Sequence, residues 1–308
     1  MVSLSPRVTR VRAPNPSPLT LSGTNTYLVR TSSNEALVID PGPAIDLHVD
    51  EILDAAATLG LDIATILVTH GHPDHYPAAA PLAGRTGAEI LAHQYATFPH
   101  DRVVEDRELL EFSEATLEVI DAPGHAADHL VFALDGGEGL FTGDVVLGSG
   151  TVVVAPPGGA MRPYQRTLER LLREHGDDRT IYGGHGEAVD DPRGKLVEYI
   201  EHRSERERQL LAVLQRGPMT IPDLVRAIYG AIDRRLWPAA ARQMLAHLIA
   251  LEEENRVVPR TLERKPTPEE ATILDPNLRN IADPATAAVM RAELGTALEL
   301  PLVEYRLA

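Results

Sequence analysis

Thr69-His70-Gly71-His72-Pro73-Asp74-His75 places three imidazoles and a carboxylate within six consecutive residues, directly after the apolar run Ile63 to Val68. Neutral imidazole nitrogen and carboxylate oxygen suit zinc or a similar first-row divalent ion, and one short loop carrying four such groups can serve two adjacent ions. Three further groups stand at the ends of short apolar stretches, each beside glycine: His125 in Ala122-Pro123-Gly124-His125, Asp144 in Phe141-Thr142-Gly143-Asp144, and His185 in Gly183-Gly184-His185-Gly186. Together they complete a set of seven ligands.

Working outward, the first two hundred residues alternate strand-like and helix-like patterns. Ala36 to Asp40 and Ile63 to Val68 read as buried strands, and Val49, Ile52, Leu53, Ala56 and Leu59 recur between them at helical spacing. Further strands are predicted at Thr24 to Val29, Glu89 to Ala92, Leu117 to Ile120, Leu130 to Leu134, Leu140 to Thr142 and Thr180 to Tyr182, with a helix from Pro163 to about His175. Ligands therefore sit in loops that follow strands, where the sheet fixes the base of the loop.

These motifs, with Asp40 in Val38-Ile39-Asp40-Pro41-Gly42, resemble those of the metallo-β-lactamase superfamily in type and order over roughly residues 8 to 202. The resemblance implies an α/β fold, the αββα sandwich of that superfamily. It further implies that His70, His72 and His125 hold one ion, that Asp74, His75 and His185 hold the other, and that Asp144 bridges them. The ions would be two divalent cations, zinc by preference. They would lower the pKa of bound water to give hydroxide, with Asp74 as the catalytic residue that orients it. Tyr164 and Arg162, just beyond the last of these strand ends, are candidate substrate contacts, and His93, at the end of a strand, could line the cleft. The remaining histidines, His48, His100, His175, His202 and His247, read as surface residues. His129 is a candidate support for the site.

Composition sets outer limits. A chain of 308 residues calls for two domains or one with a substantial appendage, and cysteine is absent, which removes disulfides, thiolate ligation and a cysteine nucleophile. No stretch approaches the 18 or so apolar residues of a membrane span, and no apolar leader core follows Met1, so a cytoplasmic location is the expectation. The net charge of −16 disfavours a polyanionic partner such as nucleic acid. Residues 1–202 carry 14 basic and 30 acidic side chains, residues 203–265 carry 12 and 8, and residues 266–308 carry 3 and 7, so only the middle block is basic, at +4.

That middle block follows a charged helical stretch from Lys195 to Gln215, read as a solvated face. A short helix over Thr220 to Ile228, a longer one from Leu236 to Asn255 and a strand-like Arg256 to Pro259 give a C-terminal helical, winged-helix-like layout. Within the superfamily this layout is similar to the group of beta-lactamase-like protein two, which includes ribonucleases acting on single-stranded RNA. The sequence departs from that pattern at Ala126 and Ala127 and in the segment after residue 265. The organisation expected is a catalytic domain over 1–202, a winged-helix-like domain over 203–265 and an extension over 266–308. The extension, with a helix candidate from Pro284 to Leu298, suggests a packed appendage or a homodimer contact.

The function expected is hydrolysis of a thioester or ester in a small or carrier-linked acyl substrate. The alternatives are an endoribonuclease on single-stranded RNA and a β-lactam hydrolase. From a different class comes a non-enzymatic DNA-binding regulator, for which the long helix would need base-reaching side chains and offers only Arg242 before its acidic end.

Overall fold

A computed structural model describes residues 1–275 and 302–308. The predicted helix from Pro284 to Leu298 lies outside the described residues.

Strand periodicity of two explains the layers. In β1 (Val2–Ser3), β2 (Val8–Arg12), β3 (Asn25–Arg30), β4 (Glu35–Ile39), β5 (Asp62–Leu67), β6 (Glu89–His93) and β7 (Arg102–Val104) the chain forms a seven-stranded sheet in sequence order. The second sheet runs β12-β11-β10-β9-β8, built from β8 (Leu109–Glu111), β9 (Thr116–Asp121), β10 (Leu130–Leu134), β11 (Gly139–Gly143) and β12 (Ile181–Gly183). Successive side chains on a strand face opposite ways. Accordingly Leu37 and Ile39 join Leu130, Phe132 and Leu134 in the core between the sheets. Val38 turns outward under α1 (Asp46–Leu59) and α2 (Ala79–Thr86). On the far side Val131 and Ala133 pack under α3 (Met161–His175) and α4 (Pro192–Leu214). Two sheets between two helical layers are the αββα sandwich expected.

Local signals set the helix ends. Val49, Ile52 and Ala56 bury one stripe of α1, and Gly60 ends it in the left-handed region at φ 67°. The Asp191 side chain accepts from the amide of Gly194 to cap α4.

The C-terminal unit holds β13 (Met219–Thr220), α5 (Ile221–Tyr229), α6 (Trp237–Glu253), β14 (Val257–Thr261), α7 (Pro268–Leu274) and β15 (Val303–Leu307) around its own core. Its three-stranded sheet has the order β13-β15-β14, so residues from the segment read as an extension supply the central strand, and Ile273, Leu274 and Leu302 join the same core. The boundary expected at 202/203 falls inside α4, which runs unbroken and places Leu196 and Tyr199 in one core and Leu210, Val213 and Leu214 in the other. No helix of the described residues is long and apolar enough to cross a membrane.

Candidate metal centre

All seven candidate ligands converge, carried on loops after β5, β9, β11 and β12. The ring nitrogens of His70 (Nε2) and His125 (Nε2) each lie 3.0 Å from His72 Nδ1. Beside them, Asp74 Oδ2 lies 3.4 Å from His75 Nε2 and 3.3 Å from His185 Nε2. Asp144 stands between the two groups, with Oδ1 3.5 Å from His75 Nε2 and Oδ2 3.3 Å from His185 Nε2 and 3.9 Å from His125 Nε2. Three overlapping groups have the spacing of metal ligands: His70, His72 and His125; His70, His75 and Asp144; Asp74, His75 and His185.

Hydrogen bonding on the outer side of the rings aims their lone pairs inward. His125 Nδ1 donates to the Val153 carbonyl at 2.9 Å, which leaves Nε2 bare and facing His72. Thr69 Oγ1 gives its proton to Asp40 Oδ2, so it accepts from His70 Nδ1 at 2.9 Å and frees His70 Nε2 in the same way. His75 Nδ1 donates to Asp40 Oδ2 at 2.8 Å. A single proton on His72 Nδ1 cannot serve both of these 3.0 Å contacts well, and a cation between the three nitrogens would satisfy them together. Tetrahedral zinc with bonds of 2.0–2.1 Å would set such nitrogens about 3.3 Å apart. His75 Nε2, His185 Nε2, Asp74 Oδ1 and Asp144 Oδ1 are buried with no hydrogen-bond partner among the described residues. Bare, inward-facing donors of this kind fit a pair of divalent cations.

The electrostatics divide the same way. Burial, reinforced by neighbouring histidines, keeps His70 well below the ordinary imidazole range and takes His72 down to about 3, so both rings are neutral, the form in which imidazole can hold a cation. Burial lowers His185 too, but Asp144 and Asp74 overcome it and lift the ring to about 10. His75 is raised by the same carboxylates and by Asp40. Burial pushes Asp74 upward, yet facing His75 and His185 hold it well below the usual carboxylate range. Without a cation, protons on His75 and His185 neutralise the carboxylates; ligand binding of a cation displaces them.

Glycine makes the close approach possible at two points. A Cβ on Gly184 would stand 2.5 Å from Asp144 Oδ1 and 2.7 Å from His75 Cε1, and one on Gly143, already at φ 45°, would meet Thr69 Oγ1 at 2.6 Å. Among the seven ligands only His72 is more than marginally exposed, so the centre opens on its side.

Other supports were not evident from the motifs. Asn15 orients Thr24, whose hydroxyl donates to Asp74 Oδ2 at 3.0 Å. Asp128 Oδ2 takes the Gly71 amide at 2.9 Å. His129 accepts the Asp144 amide through Nε2 at 3.1 Å and stacks on His70, which makes it the support suspected. The local signal for Thr24 and Asn15 is no more than a polar turn before β3.

The three substrate candidates are engaged elsewhere. Tyr164 is fully buried, and its hydroxyl donates to the Val145 carbonyl at 2.7 Å, so it steadies the chain next to Asp144 and is not free to meet substrate. Arg162 is committed to Glu207 and Glu254, a tie between α3 and the C-terminal unit. His93 Nδ1 accepts the Tyr95 amide, and Nε2 lies 3.4 Å from Asp121 Oδ1, outside the ligand groups. Two histidines read as surface residues are fully buried: His48, which meets Thr26 Oγ1 at 2.9 Å, and His247 on α6. Arg203, read as part of a solvated helix face, is buried as well.

With this geometry established, comparison with known proteins is direct. Residues 19–100 and 93–185 match the model of the metallo-beta-lactamase superfamily, and residues 220–262 match the beta-lactamase associated winged helix domain. The chain belongs to the metallo-beta-lactamase superfamily and is a metal-dependent hydrolase of that superfamily with a C-terminal winged helix. Within it, the chain is 31% identical over 271 residues to the beta-lactamase-like protein 2 homolog of Drosophila melanogaster, covering 82% of this chain and 90% of that one. It is 32% identical over 252 residues to the atrochrysone carboxyl ACP thioesterase of Aspergillus chevalieri, covering 74% and 75%. The crystal structure of a metallo-beta-lactamase family protein from Thermus thermophilus superimposes with a TM-score of 0.70 at 26% identity, over 84% of this chain and 97% of that one.

Proposed function

We propose that this hydrolase is a dinuclear zinc thioesterase acting on a small or carrier-linked acyl substrate. His70, His72 and His125 hold one ion in this reading, Asp74, His75 and His185 hold the other, and Asp144 serves both. Divalent ions held by these residues would supply activation of water and polarisation of the acyl carbonyl. The observation that carries the reading is the position of Asp144, whose carboxylate faces His75, His185 and His125 at once and so joins two half-sites into one.

The chain's own groups favour an acyl thioester. Asp74 is ionised and held through Oδ2 by Thr24, which leaves Oδ1 to orient the attacking water. A thiol leaving group has a pKa of about 8.5 and departs near neutral pH without a dedicated acid, which suits a centre whose ionisable groups are taken up by ligation. Val153, against His125, belongs to a small apolar cluster with Leu19, Ala155 and Ala239, so the surroundings of this half-site include apolar side chains. The similarity to a named ACP thioesterase supports the same substrate class.

A polyanionic substrate has less support. The basic side chains of 203–265 are largely spent: Arg226, Arg235, Arg256, Arg260 and Arg264 are in ion pairs, and Arg203 and Arg242 are buried. Most of α6 is buried as well, which leaves little of it to enter a groove.

The test is thiol release from a panel of acyl-thioesters, free and carrier-linked, by zinc-loaded protein, run beside single-stranded RNA at low ionic strength. Thioester turnover well above that of Asp74→Ala is expected. Turnover no better than that variant, or cleavage of RNA instead, refutes the reading.

A further inference from the structure

Residues 152–154, between β11 and α3, are gripped from two directions. The Val153 carbonyl takes the Nδ1 proton of His125 at 2.9 Å. Its two neighbours turn the other way: the Val152 carbonyl accepts from Arg203 Nη2 at 2.6 Å, and the Val154 amide donates to Gln243 Oε1 at 3.1 Å. Gln243 Oε1 also accepts from Arg203 Nη1 at 3.0 Å, which makes α4, α6 and the 152–154 segment one closed set of bonds. The side chains alternate in step, with Val152 and Val154 in the core under the second sheet and Val153 against Leu19, Ala155 and Ala239.

Arg203 is an unusual residue to find there. Its side chain is 1% exposed, and no carboxylate among the described residues pairs with it; its partners are a carbonyl, an amide oxygen and the face of Tyr164, 5.1 Å away. A guanidinium withdrawn from water without a counter-charge is costly to the fold. What it holds in exchange is backbone next to His125 and, through Tyr164, the Val145 carbonyl beside Asp144.

We propose that Arg203 and Gln243 are positioning residues of the metal centre: by fixing residues 152–154 they make the Val153 carbonyl set the tautomer and ring plane of His125, so that the winged helix tunes the affinity of one half-site. The proposal rests on the reading of His125 as a ligand. It gives the C-terminal unit a part in metal binding that requires no contact with substrate or nucleic acid.

The test uses the full chain with zinc, titrated against a chromophoric chelator, and with cobalt for its visible absorption bands. Gln243→Leu, which keeps the bulk and removes the shared acceptor, is expected to weaken one of two ions by roughly 10–100-fold, to leave the other nearly unchanged and to shift the cobalt spectrum. Gln243→Glu retains an acceptor for both Arg203 and Val154 and is expected to restore affinity and spectrum. Arg203→Met is expected to act in the same direction; should it fail to fold, the two Gln243 variants decide. A folded Gln243→Leu that binds both ions with native affinity and spectrum overturns the proposal, as does equal weakening of both ions, which would mean general loosening. His125→Ala separates the two readings. If it too keeps both ions, the ligand assignment is at fault; if it loses one ion while Gln243→Leu loses none, the positioning role is.

Discussion

His75 Nδ1 donates to Asp40 Oδ2 across 2.8 Å, and the same carboxylate takes the amide and hydroxyl of Thr69. One buried residue at the end of β4 thus fixes the candidate ligand His75 and the base of the loop that carries four of the seven candidates. Asp40 does this from the left-handed region at φ 50°, which aspartate and asparagine tolerate better than other side chains. Asp40→Asn should therefore keep the backbone while presenting His75 with a neutral amide. We expect metal affinity at the Asp74, His75 and His185 half-site to fall by roughly 10–100-fold. Chelator competition checks this, and an unchanged affinity would count against Asp40 as the anchor of His75.

The Thr24 hydroxyl bond to Asp74 is the next to test. Thr24→Val preserves shape and deletes one hydrogen bond to a carboxylate, an interaction of about 1.5–3 kcal/mol. With Asp74 less firmly aimed, kcat on the thioester that turns over best should drop roughly tenfold or more, with KM little altered, because Thr24 lies behind Asp74. A change confined to KM would place Thr24 on the substrate path instead.

Arg162 offers a contrast between the reading from sequence and the contacts observed. Its pairing with Glu207 and Glu254 predicts that Arg162→Met loosens the docking of α6 on α3, lowering thermal stability by a few degrees, more at low salt than at high salt. The Michaelis constant should stay close to native. A large rise in KM with unchanged melting would restore Arg162 as a substrate contact.

Acid should act through His247. Neither of its ring nitrogens has a hydrogen-bond partner among the described residues, and burial, aided by Arg203, takes its pKa down to about 3 in the fold. An unfolded chain takes up that proton near pH 6.5, so between about pH 6.5 and 3 the unfolded state binds more protons and stability falls as pH drops, by up to about 1.4 kcal/mol per pH unit. His247→Leu removes this penalty. Urea unfolding at pH 7 and pH 5 should show the variant losing about 1–2 kcal/mol less than the native chain over that interval, and equal losses would exclude His247 as a source of acid sensitivity.

The convergence of the candidate ligands is legible in the sequence because its signal is local. His70, His72, Asp74 and His75 share one loop, and the other three each follow a short apolar run with glycine beside it. The unbroken apolar runs Ala36 to Ile39 and Leu130 to Leu134 likewise announce strands covered on both faces. What escaped detection depends on distant partners. His247 lies in a helical stretch whose sequence does not say which way the ring faces, and α6 turns it toward α4. Tyr164 and Arg162 begin a helix near the site, and only the packed structure shows that one reaches Val145 and the other Glu254. Strand β15 pairs with β13 and β14 from more than forty residues beyond β14, a separation across which periodicity says nothing.

Because α4 crosses from one core to the other without a break, the molecule has no seam along which it can be cut. Cleaving near residue 202 would sever Tyr199, which accepts the Leu147 amide behind Asp144, from Arg203, four residues on, which steadies the segment behind His125. A catalytic fragment prepared that way would lose Ala246 and Ala250 from the core beneath its second sheet, together with the Arg203 and Gln243 bonds to residues 152–154. Grafting a different C-terminal module onto such a fragment would then mean rebuilding the metal centre along with it.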